Sequence, residues 1–181
     1  MAAPDRLSHP QALDDLLLFR IARLLAAAST PVIRLCEGRF GITRREWRLI
    51  VVLAQHGEIQ PSRLAERIQL DRARTSRAIT SLVAKKLVAR TAGTRDRRQA
   101  VVALTPQGRA LHEQLFPLVR EINQELLGPL AQAELRQLDA VLDTLQAQAD
   151  AMAPTHADLP KANRRRGAGA PQPARPGSPY R

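Results

Sequence analysis

One stretch of the chain decides the fold: residues 70–108 have the sequence LDRARTSRAITSLVAKKLVARTAGTRDRRQAVVALTPQG. Its first part has apolar residues at helical spacing after Asp71, a good N-cap, and therefore predicts a helix over 72–86. Two short runs of strand-forming residues follow at 87–90 and 100–104, separated by a polar, basic segment. This order predicts a β-hairpin with a charged tip directly after the helix.

Upstream of this stretch, the spacing of apolar residues predicts further helices. A long helix is expected over 12–36, and Pro31 should kink it or break it near its end. A second helix is expected over 43–56. It begins with a capping box, in which the side chains of Thr43 and Glu46 each satisfy a backbone amide of the other residue.

A short third helix is predicted over 62–68, with Ser62 as its N-cap. Only the short turn 69–71 separates it from the helix that begins the deciding stretch. Three helices followed by a hairpin within residues 43–105 is the order of a winged helix-turn-helix. In that fold, the second helix of the helix-turn-helix enters the major groove of DNA.

Downstream, Thr105 and Pro106 are suited to the N-cap and first turn of another helix. A last helix is expected over 132–152, where leucines repeat in the alternation of a helix-packing seam. The fold class is therefore mainly α with a small β-hairpin wing. We predict four regions: an N-terminal arm (1–11), a helical dimerisation region made of two segments (12–42 and 106–152), a winged helix-turn-helix DNA-binding lobe (43–105) and a disordered basic tail rich in Pro, Gly and Arg (153–181).

The predicted helix over 72–86 has two unlike faces. At about 100° per residue, one face carries Thr75, Ile79, Leu82 and Val83, and we expect it to pack on the core. The opposite face carries arginine with small polar residues. Arginine can bind guanine through two hydrogen bonds in the major groove, and serine can bind a base edge or a phosphate. The expected DNA contacts are Arg72, Ala73, Arg74, Arg77 and Ser81. An ordinary solvated face is the alternative.

The tip of the hairpin is the second expected DNA contact. Arg95, Arg97 and Arg98 could reach phosphates or enter a narrow minor groove. Asp96 between them would repel phosphates unless it pairs. We interpret it as a salt-bridge partner that aims Arg98, with a simple turn aspartate as the alternative.

The net charge of +11 is concentrated in two segments. Residues 62–98 hold 11 basic and 3 acidic residues, and residues 161–181 hold 6 basic and none acidic, whereas 99–160 are net acidic. A concentrated basic block is typical of a protein that binds a polyanion. Besides a sequence-specific DNA-binding protein, two classes remain open: an architectural protein that coats DNA through its basic tail, and a winged helix that docks other proteins. The tail could also be an inert solubilising segment.

Residues 43–108 resemble the MarR family of bacterial transcription regulators. The resemblance is carried by Leu70-Asp71-Arg72, Ser76-Arg77, Leu87-Val88, Asp96-Arg97-Arg98 and Leu104-Thr105-Pro106-x-Gly108. It extends over about 12–152 when the flanking helices are included. It implies a fourth helix in the major groove, a wing arginine in the minor groove, and wing-tip roles for Asp96 and Arg98. One departure is Lys86, which occupies the place of a glycine that usually closes the fourth helix. Either this lysine adopts a left-handed conformation at some cost, or the helix runs into the strand along a different path.

The resemblance also implies a homodimeric transcriptional repressor that a small anionic aromatic effector releases from DNA. A two-fold dimer would read two half-sites of a palindromic operator about one helical turn apart, roughly 34 Å. The unpartnered apolar stripes of 12–36 and 132–152 independently call for a partner chain. Candidate effector-pocket residues are Arg20, Arg23, Trp47, His112 and Phe116. For each of these, a core or surface role is the favoured alternative.

The sequence offers no sign of catalysis. The four histidines have no metal-ligand spacing, and no phosphate loop or nucleophile motif occurs. We expect no enzyme activity, metal site or cofactor. Cys36, the single cysteine, is interpreted as a buried, inert thiol, although Arg34 and Arg39 could activate it. No apolar run is long enough to span a membrane and the N-terminus lacks a secretory signal, so we expect a cytoplasmic protein without a membrane partner.

Overall fold

The computed structural model describes residues 6–68, 70–92 and 100–155. The contacts divide the chain into a unit that ends at Leu127 and a unit that begins at Gly128. The predicted dimerisation region is therefore shared between two units. The elements, in chain order, are a 3-10 turn (Leu13–Asp15), α1 (Leu17–Arg34), a π-helical turn (Leu35–Arg39), α2 (Arg44–His56), α3 (Pro61–Arg67), α4 (Arg72–Ala84), β1 (Val88–Ala92), β2 (Ala100–Leu104), α5 (Pro106–Leu127) and α6 (Gln132–Thr155).

Helix α2 lies at the centre of the first unit. It packs on α3, α4, α5 and β2. It supplies the fully buried side chains of Leu49 and Ile50, and Leu53 is almost as enclosed. Other elements contribute the remaining large core side chains, which are Ile42, Leu64, Ile68, Ile79, Leu82, Val88, Val102 and Leu115. The predicted core face of the fourth helix is thus mostly correct.

The N-caps of α2 and α3 test the helix starts that were predicted from the sequence. The predicted capping box at α2 is present: Thr43 Oγ1 accepts from the Glu46 amide at 3.1 Å, and Glu46 Oε2 accepts from the Thr43 amide at 2.6 Å. The predicted Ser62 cap of α3 is wrong, since α3 begins at Pro61 with Gln60 as N-cap. Proline has no amide to lose at the first helical position, and its fixed φ already suits the helix.

The long N-terminal helix predicted over 12–36 is shorter than expected. A 3-10 turn precedes it, α1 itself spans Leu17–Arg34, and Pro31 lies in its last turn. The chain then widens into the π-helical turn. A proline ring removes one backbone hydrogen bond of the preceding turn, so the change of helix type just after Pro31 agrees with the predicted break. At the other end of the chain, α6 continues past the predicted residue 152 to Thr155.

The two strands form the predicted antiparallel hairpin, with Val88 opposite Leu104. Residues 93–99 at its tip lie outside the described part of the chain. One strand-like contact was not predicted. Ile59 exchanges two backbone hydrogen bonds with Val102, at 3.0 and 2.9 Å, and so attaches the segment before α3 to the hairpin. A single bridging residue has no periodicity of its own, which is why the sequence pattern does not reveal it.

Two stripes of apolar side chains are exposed in the single chain. No residue of α1 is buried, and Leu18 is 79% exposed, with Ile21, Leu24 and Leu25 also exposed. In the second unit, the exposed residues of α6 include Leu138, Val141, Leu142 and Leu145. Large apolar side chains that repeat along a helix and face water are typical of a surface that another chain covers.

The base of the hairpin is fixed by the turn into α5. Thr105 Oγ1 donates to the Lys86 carbonyl at 2.7 Å and accepts from the Gly108 amide at 3.0 Å. The Thr105 amide also donates to the Leu87 carbonyl at 3.1 Å. Gly108 lies so close to this carbonyl that an added Cβ would be 2.0 Å from the Leu87 oxygen. Only glycine fits there without moving the backbone.

Gly108→Ala should therefore destabilise the fold. Because the neighbouring atom is a backbone oxygen, we expect a loss of about 3 kcal/mol in the free energy of unfolding, measured in urea. Gly38→Ala is the matched control, since an added Cβ at Gly38 meets nothing within 4 Å. Equal stabilities of the two variants would contradict this account of the hairpin base.

Candidate nucleic-acid interface and its supports

The start of α4 is held by its own N-cap. Asp71 Oδ1 accepts from the Arg74 amide at 2.7 Å, as the sequence predicted. The other carboxylate oxygen, Oδ2, pairs with Arg74 Nε at 3.1 Å. Both partners of this ion pair are substantially exposed, so the pair adds little stability. It does limit the rotamers of Arg74, which places the guanidinium at the exposed end of the helix.

The two faces of α4 largely match the predicted division. Thr75, Ile79 and Leu82 are buried, but Val83 is exposed, and this part of the prediction is wrong. Ala78 takes the fourth core position, because the centre of the buried face lies toward residue 78. The predicted contacts Arg72, Ala73 and Arg77 are all exposed, and Arg74 is partly exposed.

Two exposed hydroxyls on the same surface were missed. Ser76 and Thr80 lie beside Arg77, and Thr80 Oγ1 donates to the Ser76 carbonyl at 3.0 Å. From β1, Arg90 approaches the same hydroxyl at 3.5 Å. Helical spacing alone would have predicted Thr80 on this surface, because Thr80 is only about 60° from Arg77 around the helix. Arginine and hydroxyl groups therefore share one face that extends toward the hairpin.

Ser81 differs from the other predicted contacts. It is only partly exposed, and its hydroxyl lies close enough to Glu46 to help lower the pKa of that carboxyl. Its expected contact with DNA stays a prediction.

The Glu46 carboxylate joins α2 to the end of α4. Lys85 Nζ lies 3.0 Å from Glu46 Oε1 and 2.9 Å from Oε2, and it also donates to the Gly41 carbonyl at 2.8 Å. The Glu46 side chain is 3% exposed. Burial alone would raise its pKa, but hydrogen bonds from Ser81, Lys85 and the Thr43 amide outweigh burial and hold the pKa below its ordinary value of 4.5. Glu46 is therefore ionised and fully partnered at neutral pH.

A second polar contact from α2 reaches the turn before α4. Arg48 Nη2 donates to the Ile68 carbonyl at 2.6 Å, just after the end of α3. A cation at the C-terminal end of a helix is stabilised by the exposed carbonyl groups there. Arg48 thus fixes the start of the turn that leads to Asp71.

Between α4 and the hairpin, Lys86 has a φ of +58°. Among the residues whose placement is described, it is the one non-glycine residue with positive φ. The sequence allowed either a left-handed lysine or a different path from helix to strand, and the structure shows the left-handed lysine. This conformation costs roughly 1 kcal/mol in a residue with a Cβ. It ends the helix at Ala84, two residues before the predicted end.

Three of the five candidate effector residues form one aromatic cluster. The Trp47 ring stacks on His112 with centroids 5.7 Å apart, and Phe116 lies 5.3 Å from His112 and 6.5 Å from Trp47. Trp47 is buried, whereas Phe116 is 41% exposed. Burial is the main cause that lowers the pKa of His112 below 6.5, so the imidazole is neutral at physiological pH.

The other two candidates lie elsewhere. Arg20 and Arg23 line a shallow hollow on α1 with Leu24 and Ala27. Arg23 also pairs with Asp14 at 2.7 Å and lies 5.9 Å from the centre of the Phe19 ring. The structure therefore brings the aromatic candidates together but does not add the arginines to them. Spacing along α1 alone does not fix which side of the helix faces α2 and α5.

The remaining candidate groups are the Cys36 thiol and the residues of the hairpin tip. Cys36 is fully buried, and burial, with a smaller effect from Glu37, raises the pKa of its thiol to about 11. The thiol is thus protonated and enclosed, as the buried-thiol interpretation expects. Arg95, Asp96, Arg97 and Arg98 lie outside the described residues. Within the described ranges, no three His, Cys, Asp or Glu side chains come close enough together to hold a metal ion, and no helix is long and apolar enough to span a membrane.

The sequence and the fold were compared with known proteins. Residues 40–99 match the model of the MarR family. The HTH-type transcriptional repressor MdtR of Bacillus subtilis (strain 168) is 29% identical over 97 residues. That match covers 54% of this chain and 63% of the repressor, so it spans less than two thirds of the relative.

Solved structures resemble a larger part of the chain. A MarR/EmrR family transcriptional regulator from Acinetobacter sp. ADP1 is 27% identical and superposes with a TM-score of 0.72, over 78% of this chain and 99% of that one. A mutant MarR from E. coli complexed with operator DNA is 23% identical, with a TM-score of 0.64 over 75% and 98% of the two chains. The winged helix-turn-helix prediction is confirmed.

The Glu46 contacts predict how stability depends on pH. A carboxyl whose pKa is lowered by folding stabilises the fold above its unfolded pKa, and this stabilisation is lost as the pH falls through the folded pKa. Glu46→Gln should therefore cost about 2 kcal/mol of unfolding free energy near pH 7. The difference from the wild type should shrink below about pH 4.5.

Urea unfolding at several pH values measures this difference. Glu66→Gln makes the same change of charge at an exposed position of α3 and is the control. A Glu46→Gln effect of equal size at all pH values would show that the ionised carboxylate is not what stabilises the fold.

Proposed function

We propose that the chain is a member of the MarR family, whose model residues 40–99 match, and that it is a dimeric, sequence-specific DNA-binding transcriptional regulator that acts as a repressor. The proposal includes release from a palindromic operator by a small aromatic anion. It also places the protein in the cytoplasm of a bacterium, where operator DNA is accessible.

One observation carries the proposal, and that is the exposed face of α4. Arg72, Arg74 and Arg77 share it with the hydroxyls of Ser76 and Thr80, while the opposite face is buried in the core. These groups can bind base edges and phosphates of a major groove. The helix is fixed at its start by Asp71 and Arg48, and at its end by the Glu46 contacts. A rigid helix with this face loses little conformational entropy when it binds.

The dimer is proposed from the exposed apolar stripes of α1 and α6. Each stripe would leave several leucines in water if the chain were a monomer. Covering them stabilises an assembly by about 25 cal/mol for each Å² removed from water. A two-fold dimer would place two α4 helices on one side of the DNA, and its operator would therefore be palindromic.

The effector part of the proposal is supported by the cluster of Trp47, His112 and Phe116. Phe116 is exposed and His112 is partly exposed, so an aromatic ring could stack on this cluster. A ligand shifts DNA affinity only if it binds the two states of the protein unequally. Benzoate and related acids, titrated into a preformed DNA complex, test this part. If none of them releases DNA, this ligand class is wrong.

The architectural alternative relies on residues 161–181, with six basic and no acidic residues. It predicts that preferred and random duplexes are bound alike, because phosphate contacts carry no sequence information. The arginine face of α4 favours the regulator. The protein-docking alternative predicts no salt-dependent DNA binding at all.

Arg77→Ala should weaken binding to a duplex selected from a random pool by about 1–3 kcal/mol, because a base contact is lost. Binding to random duplexes should change far less. Fluorescence anisotropy with both duplexes measures the ratio of the affinities for the selected and the random duplexes. Arg120→Ala removes the same charge from an exposed position of α5 and is the control. If Arg77→Ala leaves the ratio of selected to random affinity unchanged, α4 does not read the sequence as proposed.

Light scattering after size exclusion should give a mass of about twice 20.0 kDa. Leu25→Glu places a charge in the exposed stripe of α1 and should shift the equilibrium toward monomer. Thr30→Glu, at an exposed position five residues further on and about 140° away around the helix, should not. A monomeric wild type at micromolar concentration would exclude the dimer.

A further inference from the structure

Three consecutive residues of α2 make contacts in three different directions. Successive side chains of a helix differ by about 100°. Glu46 therefore faces α4, Trp47 faces α5, and Arg48 faces the turn after α3. A movement at any one of these three contacts can reach the other two through α2 itself, because all three side chains belong to one turn of one buried helix.

The contacts made by Glu46 and Arg48 are at the two ends of α4. Glu46 binds Lys85, which is the C-cap residue of α4. Arg48 binds the Ile68 carbonyl, which leads into the N-cap of α4. A rigid-body shift of α2 must therefore move both ends of α4 or break these bonds.

The residue between them is part of the aromatic cluster on α5. Trp47 is 5% exposed and stacks on His112, while Phe116 lies beside both rings, 5.3 Å from His112 and 6.5 Å from Trp47. A change in this stack would move Trp47 and the turn of α2 that carries it. Packed interfaces of this kind shift between discrete arrangements and do not deform freely.

We propose that Glu46 and Arg48 are positioning residues that couple the aromatic cluster to the two ends of α4. The inference rests on the proposed function, since α4 is the helix that would read DNA. Coupling between two sites is reciprocal. Any change of the Trp47 stack alters DNA affinity, and DNA binding in turn alters the surroundings of Trp47.

The chain contains a single tryptophan, so its fluorescence reports on Trp47 alone. The full chain is titrated with a duplex that it selects from a random pool and with a scrambled duplex of equal composition. Anisotropy of the labelled duplex gives the affinity, and tryptophan emission at saturation gives the response of the cluster. The selected duplex should change the emission of the wild type, and the scrambled duplex should change it less.

Two variants interrupt the coupling without changing the net charge. Glu46→Gln/Lys85→Met leaves no buried charge unpaired, and Arg48→Lys loses the guanidinium geometry. Each should lose most of the emission change and roughly 5- to 30-fold in affinity for the selected duplex. A wild-type far-UV circular dichroism spectrum and urea midpoint show that the variant is folded, since the basic tail alone could keep the affinity for the scrambled duplex. Glu121→Gln/Arg120→Met alters two exposed residues of opposite charge on α5 and should behave as the wild type.

The outcomes separate this inference from the proposed function. If the wild type selects a duplex but its Trp47 emission does not change at saturation, the coupling is wrong and the regulator stands. The same holds if both variants keep the full emission change and the full affinity. If the wild type selects no duplex, the proposed function fails and the coupling fails with it.

Discussion

The ionised carboxylate of Glu46 is the contact on which the rest of the winged helix-turn-helix lobe depends. A buried charge is costly unless every lone pair has a partner. Here the partners are the Thr43 amide, the Ser81 hydroxyl and Lys85, which come from the start of α2 and the end of α4. The requirement to satisfy one carboxylate therefore fixes the distance between two helices.

The hairpin is positioned by a second set of backbone constraints. Lys86 adopts a left-handed conformation to leave α4, and the Thr105 hydroxyl binds the Lys86 carbonyl. Gly108 then allows α5 to pass against the Leu87 carbonyl. Since both sets of contacts meet at residues 85–87, the angle of the hairpin and the position of α4 are linked. The proposed function requires this link, because α4 would enter the major groove of a duplex while the hairpin reaches its minor groove.

Much of this arrangement was predictable from the sequence because it depends on local signals. The capping box of Thr43 and Glu46, the Asp71 cap and the apolar face of α4 each follow from residue type and spacing. What was missed depends on contacts distant in sequence. Lys85 binds a residue 39 positions away, and Ile59 pairs with Val102 across the fold. The error at Val83 has the same origin, since spacing gives a face but the neighbouring elements decide how much of it is covered.

The central claim is that this chain distinguishes one DNA sequence from others. The most direct measurement is the ratio of its affinities for a selected duplex and for random DNA, determined at two salt concentrations. Specific readers bind their sites at least about a thousandfold more tightly than other DNA. The account predicts a ratio of this order that persists at the higher salt, because base contacts depend less on counterion release than phosphate contacts do. Equal affinities that fall in parallel as salt increases would contradict it.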